Sequence, residues 1–388
     1  MFSVENLYYI LYVNLFKRIN VDVEYFWKFG SVDIDGMTRN FLPEQKYMNG
    51  RTACFFHDQE PVKFDTLNKI LQKKIRPYQK NRIIVTSEHS DVIKKFCKEN
   101  KFYHLYYFFH GFACLDWYKD VYYFSNRLPN FQNKFLSLNR LCTKDRSYRL
   151  FLVSELIKRD LLSKGSVSLQ LLEHQKNKVK FEVFDTNCRL SKKTKIQVYK
   201  ILGKIKANFV IDGEVTGESS AHLGSAEYDL WQSSFLHVVS ETVFFDEKLH
   251  LTEKIFKPIV SQRPFILLGA YKNLEYLKSY GFRTFDKWID ESYDNEPDNE
   301  KRLLMACDEI EKIAILPEKE IETMYWDMQQ VIEHNYCHFY TEFKQIIVDE
   351  LVDNFEGYMR QHNNGRLNDE VYDIDGLNLP EVKKLLAQ

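Results

Sequence analysis

A chain of 388 residues is too long for one ordinary hydrophobic core and suits two domains of about 150 residues each with a helical tail. Its 44% hydrophobic content excludes a disordered chain, and a net charge of −1 argues against a nucleic-acid partner, because it leaves no global electrostatic footprint and only room for a local basic cleft. Seven scattered cysteines without a CxxC pair predict reduced thiols in a cytosol-like compartment.

In chain order, residues 7–13 are apolar but are followed by Asn14, Lys17 and Arg18. The run is too short to span a bilayer and lacks a signal-peptide layout, so it predicts a buried first element, no membrane span and a cytoplasmic protein. Residues 52–56 and 82–86 read as buried strands, 91–99 as a helix leaving the second, and 102–109 as a further strand. The polar stretch 125–133, which contains Pro129, is the predicted domain boundary. After it, 134–138 is a strand and 146–162 a helix, and 180–184, 208–211, 236–240 and 264–268 are strands with helices between them. Residues 290–299 read as an acidic loop, 301–313 and 317–352 as helices, and 363–388 as a polar tail. Strands alternating with helices predict an α/β fold with parallel sheets. The expected division is a first domain at 1–130, a second at 131–316, and terminal helices with a tail at 317–388.

The segment 240–269 carries most of the chemistry. It reads as a strand, a loop, a helix opened by Thr252, Glu253, Lys254 and Lys257, and a buried strand ending in Gly269. A helix N-terminus presents unpaired N–H groups and partial positive charge, which favour phosphate, and lysines at i and i+3 share a face. A carboxylate repels phosphate but suits a ribose diol, so the combination points to a nucleotide sugar. The plain alternative is an ordinary N-cap with a dipole-compensating acid and two solvated lysines.

Residues 228–269 resemble the donor-binding segment of the fucosyltransferase family. The likeness rests on Ser240-Glu241 at a strand end, on Thr252-Glu253-Lys254 opening a helix, and on Arg263-Pro264 through Gly269. The continuation, 280–294, is similar to glycosyltransferase-like proteins encoded by viruses and phages. The loop between Glu241 and Thr252 is longer than the family pattern, and the strand ends Ser-Glu-Thr where the family has Glu-Asn, so the sugar stays open. The resemblance implies the GT-B architecture: two Rossmann-like domains facing a cleft, with ligands outside the carboxyl ends of the strands. It also implies inverting, metal-independent transfer from a nucleotide-diphosphate sugar to a glycan or other hydroxyl acceptor, with Ser240 and Glu241 lining the donor pocket. In related glycosyltransferases an arginine replaces a metal at the leaving diphosphate, a role carried over to Arg140 or Arg146, which follow the strand 134–138.

Inverting transfer needs a group to remove the acceptor's proton. His57, Asp58 and Glu60 follow the first clear strand and are the candidates, against a plain polar turn. Trp117 and Tyr118 are placed to stack on a sugar, with Asp116 accepting its hydroxyls, although such aromatics more often belong to a core. The Asp-x-Asp patterns at Asp33/Asp35 and Asp373/Asp375 read as incidental, and no His/Cys cluster has zinc spacing, so no metal cofactor is expected. Two rival functions remain: a glycosyltransferase acting on modified bases of viral DNA, and a glycan- or nucleotide-binding protein without catalysis.

Overall fold

The computed structural model describes residues 23–28, 52–57, 61–62, 81–121, 130–139, 141–142, 144–169, 188–205, 223, 230–245 and 248–364. The chain divides into two compact units, residues 1–116 with 341–388, and residues 117–340. Each contains a parallel four-stranded sheet, so the predicted α/β class holds.

In the first unit the strands β1 (Val23–Lys28), β2 (Thr52–His57), β3 (Asn81–Thr86) and β4 (Tyr103–Tyr106) lie side by side in sequence order. Ile83, Ile84 and Val85 are fully buried, as expected of a parallel strand covered on both faces. Between β3 and β4 runs α1 (Asp91–Asn100). Ser90 caps it by accepting the Ile93 N–H at 3.1 Å, and Lys101 ends it in the left-handed region at φ 55°. After β4 comes α2 (Phe109–Trp117), which is apolar nearly all round.

The second unit has strands β5 (Asn133–Asn139), β6 (Gly165–Leu169), β7 (Ser234–Ser240) and β8 (Phe265–Leu268), in the order β6-β5-β7-β8. Helix α3 (Tyr148–Lys158) leads from β5 to β6, and α4 (Lys192–Leu202) lies between β6 and β7. Helix α5 (Glu253–Val260) joins β7 to β8. The chain therefore leaves β5 to one side and returns on the other, which makes a topological switch point between β5 and β7. Beyond β8 come α6 (Asn273–Ser279), α7 (Asn299–Ala314), α8 (Glu318–Asp327) and α9 (Gln329–Tyr340). The last helix, α10 (Phe343–Asn364), belongs to the first unit, where Tyr358 packs edge-on against Tyr103 at 4.8 Å and the Asn354 amide donates to the Tyr106 carbonyl at 3.0 Å.

Several expectations change. The run 102–109 is a strand only to Tyr106, and Phe109 already opens α2, because Gly111, Ala113 and Cys114 pack tightly within a buried helix. Residues 317–352 are not one helix but α8, α9 and the start of α10. The acidic stretch 290–299 is ordered around a 3₁₀ turn, Glu291–Asn295. There the Asp294 carboxylate accepts the Leu274 and Glu275 N–H groups at 3.0 and 3.3 Å, capping α6. Strands β1 and β6 had no counterpart in the sequence reading. The expected elements at 7–13, 180–184 and 208–211, most of the 125–133 boundary and the 365–388 tail lie outside the described residues.

Burial, more than the neighbouring Glu291, raises the Asp294 carboxyl to about 6, while its backbone bonds and Arg302 pull the other way. A carboxyl with a raised folded pKa stabilises the fold below its unfolded pKa, and that contribution fades as pH rises through the folded value. We expect Asp294→Asn to gain on the wild type by roughly 2–3 kcal/mol as pH climbs from below 4 to above 6. Urea unfolding of both proteins across that range checks it; a constant difference contradicts the assignment.

Candidate functional site at the carboxyl edge of the second sheet

Polar side chains gather where β5 and β7 end. Asn139 closes β5 and Ser240 closes β7, and the Ser240 hydroxyl donates to the Asn139 side-chain oxygen at 3.0 Å. The Asn139 amide bonds the Ser137 hydroxyl at 2.9 Å, and the Asn139 N–H bonds the Ser168 hydroxyl at 3.0 Å. The ends of β6, β5 and β7 are thereby tied together. On the far side the Glu241 N–H continues the ladder to the Leu268 carbonyl of β8 at 2.9 Å.

Glu241 is fully buried. Its carboxylate takes the Thr252 hydroxyl at 2.6 Å, the Thr252 N–H at 3.2 Å and the Thr242 N–H at 3.3 Å. Burial raises its carboxyl above the usual range, and Lys254 and the Thr252 hydroxyl oppose that rise. The carbonyls beside it are also occupied, since the Tyr148 hydroxyl donates to Glu241 O at 2.5 Å and Arg149 reaches Ser240 O at 2.7 Å and Glu241 O at 3.1 Å. Arg149 is thus buried and committed to backbone carbonyls.

Thr252 is the N-cap of α5, and its hydroxyl accepts the Lys254 N–H at 3.5 Å. The Lys254 ammonium lies 3.0 Å from the Thr252 hydroxyl, 3.3 Å from that of Thr242 and 2.7 Å from the Glu253 carboxylate, with 30% of its side chain exposed. Ser240, Glu241, Thr252, Glu253 and Lys254 therefore come together at the switch point. Lys257 does not join them. It is buried on the last turn of α5 with its ammonium 5.4 Å from the Trp231 ring. Arg146 is half-buried in a 3₁₀ turn, Lys144–Arg146, just after β5. Arg140 lies outside the described residues. At the end of β8, Gly269 is required by close approach, because a Cβ there would sit 2.1 Å from the Asn273 amide nitrogen. Among the described residues, both polar atoms of that buried amide lack a hydrogen bond.

In the first unit, His57 closes β2 beside Thr86, the last residue of β3, while its side chain, Asp58 and Glu60 lie outside the described residues. A cluster that sequence reading did not single out stands at the same edge. The Glu88 carboxylate, buried, accepts the Val62 N–H at 2.7 Å. His104 on β4 bonds the Thr86 hydroxyl at 2.7 Å, and His89 stacks on Tyr106 at 3.7 Å. Burial first, then Lys94, lowers His89 to about 4; burial, His89 and Lys94 do the same to His104, so both imidazoles are neutral at neutral pH. The visible signal was the run Ser87-Glu88-His89 directly after the strand that ends at Thr86. Asp116 and Trp117 are half-buried on the last turn of α2, not at a strand end.

Among the described residues, no group of three or more His, Cys, Asp or Glu is arranged to hold a metal ion, and no helix is long and apolar enough to cross a membrane. No family model, curated protein or solved structure matches the chain.

Proposed function

We propose that this chain is a glycosyltransferase whose second unit holds a nucleotide-diphosphate sugar at the β5/β7 switch point. One observation carries the reading: Lys254 stands half-exposed at the N-terminus of α5, between the Thr242 and Thr252 hydroxyls, on a cap fixed from behind by the buried Glu241. In parallel sheets ligands bind at the carboxyl edge beside such a reversal. The helix terminus and the ammonium favour the diphosphate, and Arg146, in the 3₁₀ turn that follows β5, is the second cation proposed to face it. Glu253 holds the ribose diol by accepting its hydroxyl protons. Lys257 has no part in this reading.

Preorganised cations facing the leaving diphosphate stabilise the charge that develops as the glycosidic bond breaks. The acceptor hydroxyl loses its proton to a base, for which His57, Asp58 and Glu60 remain the candidates. Transfer inverts the anomeric centre in this reading, without a metal. Calorimetry with a panel of GDP-, UDP- and CMP-linked sugars tests it. Binding of one class with slow hydrolysis or transfer supports the assignment, binding without turnover leaves a sugar-nucleotide-binding protein, and no binding at all rejects the site.

Glu88 supplies a separate check on the acceptor side. We expect Glu88→Ala to lower turnover by about tenfold or more through loss of its anchor on the chain segment at Val62, with donor KM unchanged. Glu88→Gln, which keeps an acceptor for the Val62 N–H, should recover most of it. Equal turnover in the alanine variant would show that this segment does no chemistry.

A further inference from the structure

Between residues 188 and 205 the chain carries Arg189, Lys192, Lys193, Lys195, Lys200 and Lys204 and no acid, in a protein whose net charge is −1. Most of this run is α4, whose start is set by Ser191, the hydroxyl of which accepts the Thr194 N–H at 3.3 Å. Thr194, Val198 and Leu202, spaced at i, i+4 and i+8, form its buried side, which lies on α3. At 3.6 residues per turn Ile196 and Tyr199 fall on the opposite side. They are 49% and 55% exposed. Lys195 borders this apolar pair on one flank; Lys193, Lys200 and Lys204 border it on the other, and Lys192 lies in line with it.

Among the described residues, none of the five lysine ammonium groups is engaged in an ion pair or hydrogen bond. The acids that reach α4 do so from its cap and its inner side. Glu300 of α7 accepts from the Ser191 N–H and from the Thr194 hydroxyl, both at 2.5 Å. Glu155 of α3, already paired with Lys158 and Arg159, takes the Gln197 amide. Among the described residues, no acid is paired with the outward charge.

We infer that the outer face of α4 docks on an anionic lipid surface, with Ile196 and Tyr199 entering the headgroup layer and the flanking lysines meeting acidic headgroups. An apolar centre with cations along both rims is the layout of a helix lying in a membrane interface, where lysine stems bury and their ammonium ends reach outward. A phosphate backbone, by contrast, is met by cationic and polar groups and gives the exposed Ile196 and Tyr199 nothing apolar to bury against. The inference stands whether or not the sugar-transfer reading holds, because it uses none of the residues at the switch point.

The test is co-sedimentation of the full chain with phosphatidylcholine vesicles, with and without about one-third phosphatidylserine. We expect binding to the anionic vesicles, weakened by salt, and little to the neutral ones. Each lysine near such a surface strengthens partitioning about fivefold, so Lys192→Ala with Lys200→Ala should lose roughly 25-fold. Ile196→Ser should weaken binding several-fold while leaving its salt dependence in place. All three side chains are exposed, so the unfolding midpoint should stay put. Absence of binding to anionic vesicles, variants that bind as the wild type does, or capture of duplex DNA with no vesicle binding would each overturn the inference.

Discussion

Lys254→Ala is expected to lose donor turnover by about 10²–10³-fold with little change in stability. Its ammonium contacts the Thr242 and Thr252 hydroxyls and the Glu253 carboxylate at a half-exposed edge. An ion pair in such a setting contributes at most about 1 kcal/mol to the fold. In the proposed sugar transfer the same charge faces a diphosphate at the helix terminus, where negative charge grows, so its removal would fall on the transition state. Steady-state kinetics with the donor identified by calorimetry, together with a thermal melt, check both halves. Unchanged hydrolysis and transfer in a folded variant would reject the donor assignment. Lys257→Ala serves as the internal contrast. Its ammonium lies over Trp231, so it should leave donor KM alone and cost stability instead.

Glu241→Ala is the counterpart with a large effect on the fold. The substitution strips an acceptor from the Thr252 hydroxyl and from the Thr252 and Thr242 N–H groups, all in a buried place. Orphaned donors of that kind cost about 1–3 kcal/mol each before relaxation, so a net loss of roughly 3 kcal/mol is expected. Glu241→Gln retains one acceptor oxygen and should cost less. Because burial pushes the Glu241 carboxyl upward, the glutamine variant should also gain on the wild type as pH rises. Denaturant unfolding decides it, and an alanine variant within about 0.5 kcal/mol of the wild type would show that the cap does not depend on this carboxylate. Donor affinity should fall in parallel, since Thr252 and Lys254 sit on the turn it holds.

Much of the frame was legible because its signals are local. Four short, largely apolar runs, 52–56, 82–86, 134–138 and 236–240, lie within a residue or two of β2, β3, β5 and β7. The helix opened by Thr252 begins where its cap predicts. Strand β6 was missed because Gly165-Ser166-Val167-Ser168-Leu169 is short and half polar, with little β-propensity of its own; it exists because β5 offers a ladder beside it. The 102–109 run was read too long because a buried helix and a buried strand share the same apolar composition. The long C-terminal stripe gave no sign of its breaks, since the turns between α8, α9 and α10 contain neither Gly nor Pro.

What the residues alone determined is the alternation of strands with helices and the capped, cation-bearing turn at 252–254, for both follow from side-chain chemistry within a few positions. What only the tertiary structure decided is which distant groups meet. Strand order placed Asn139 against Ser240 and Glu241 behind Thr252. The same packing turned Lys257 toward Trp231, sank Arg149 under backbone carbonyls and carried α10 back to β4. A sequence specifies neighbours along the chain; pairings across tens or hundreds of residues depend on which apolar faces close together, and burial then sets how each charged group is spent.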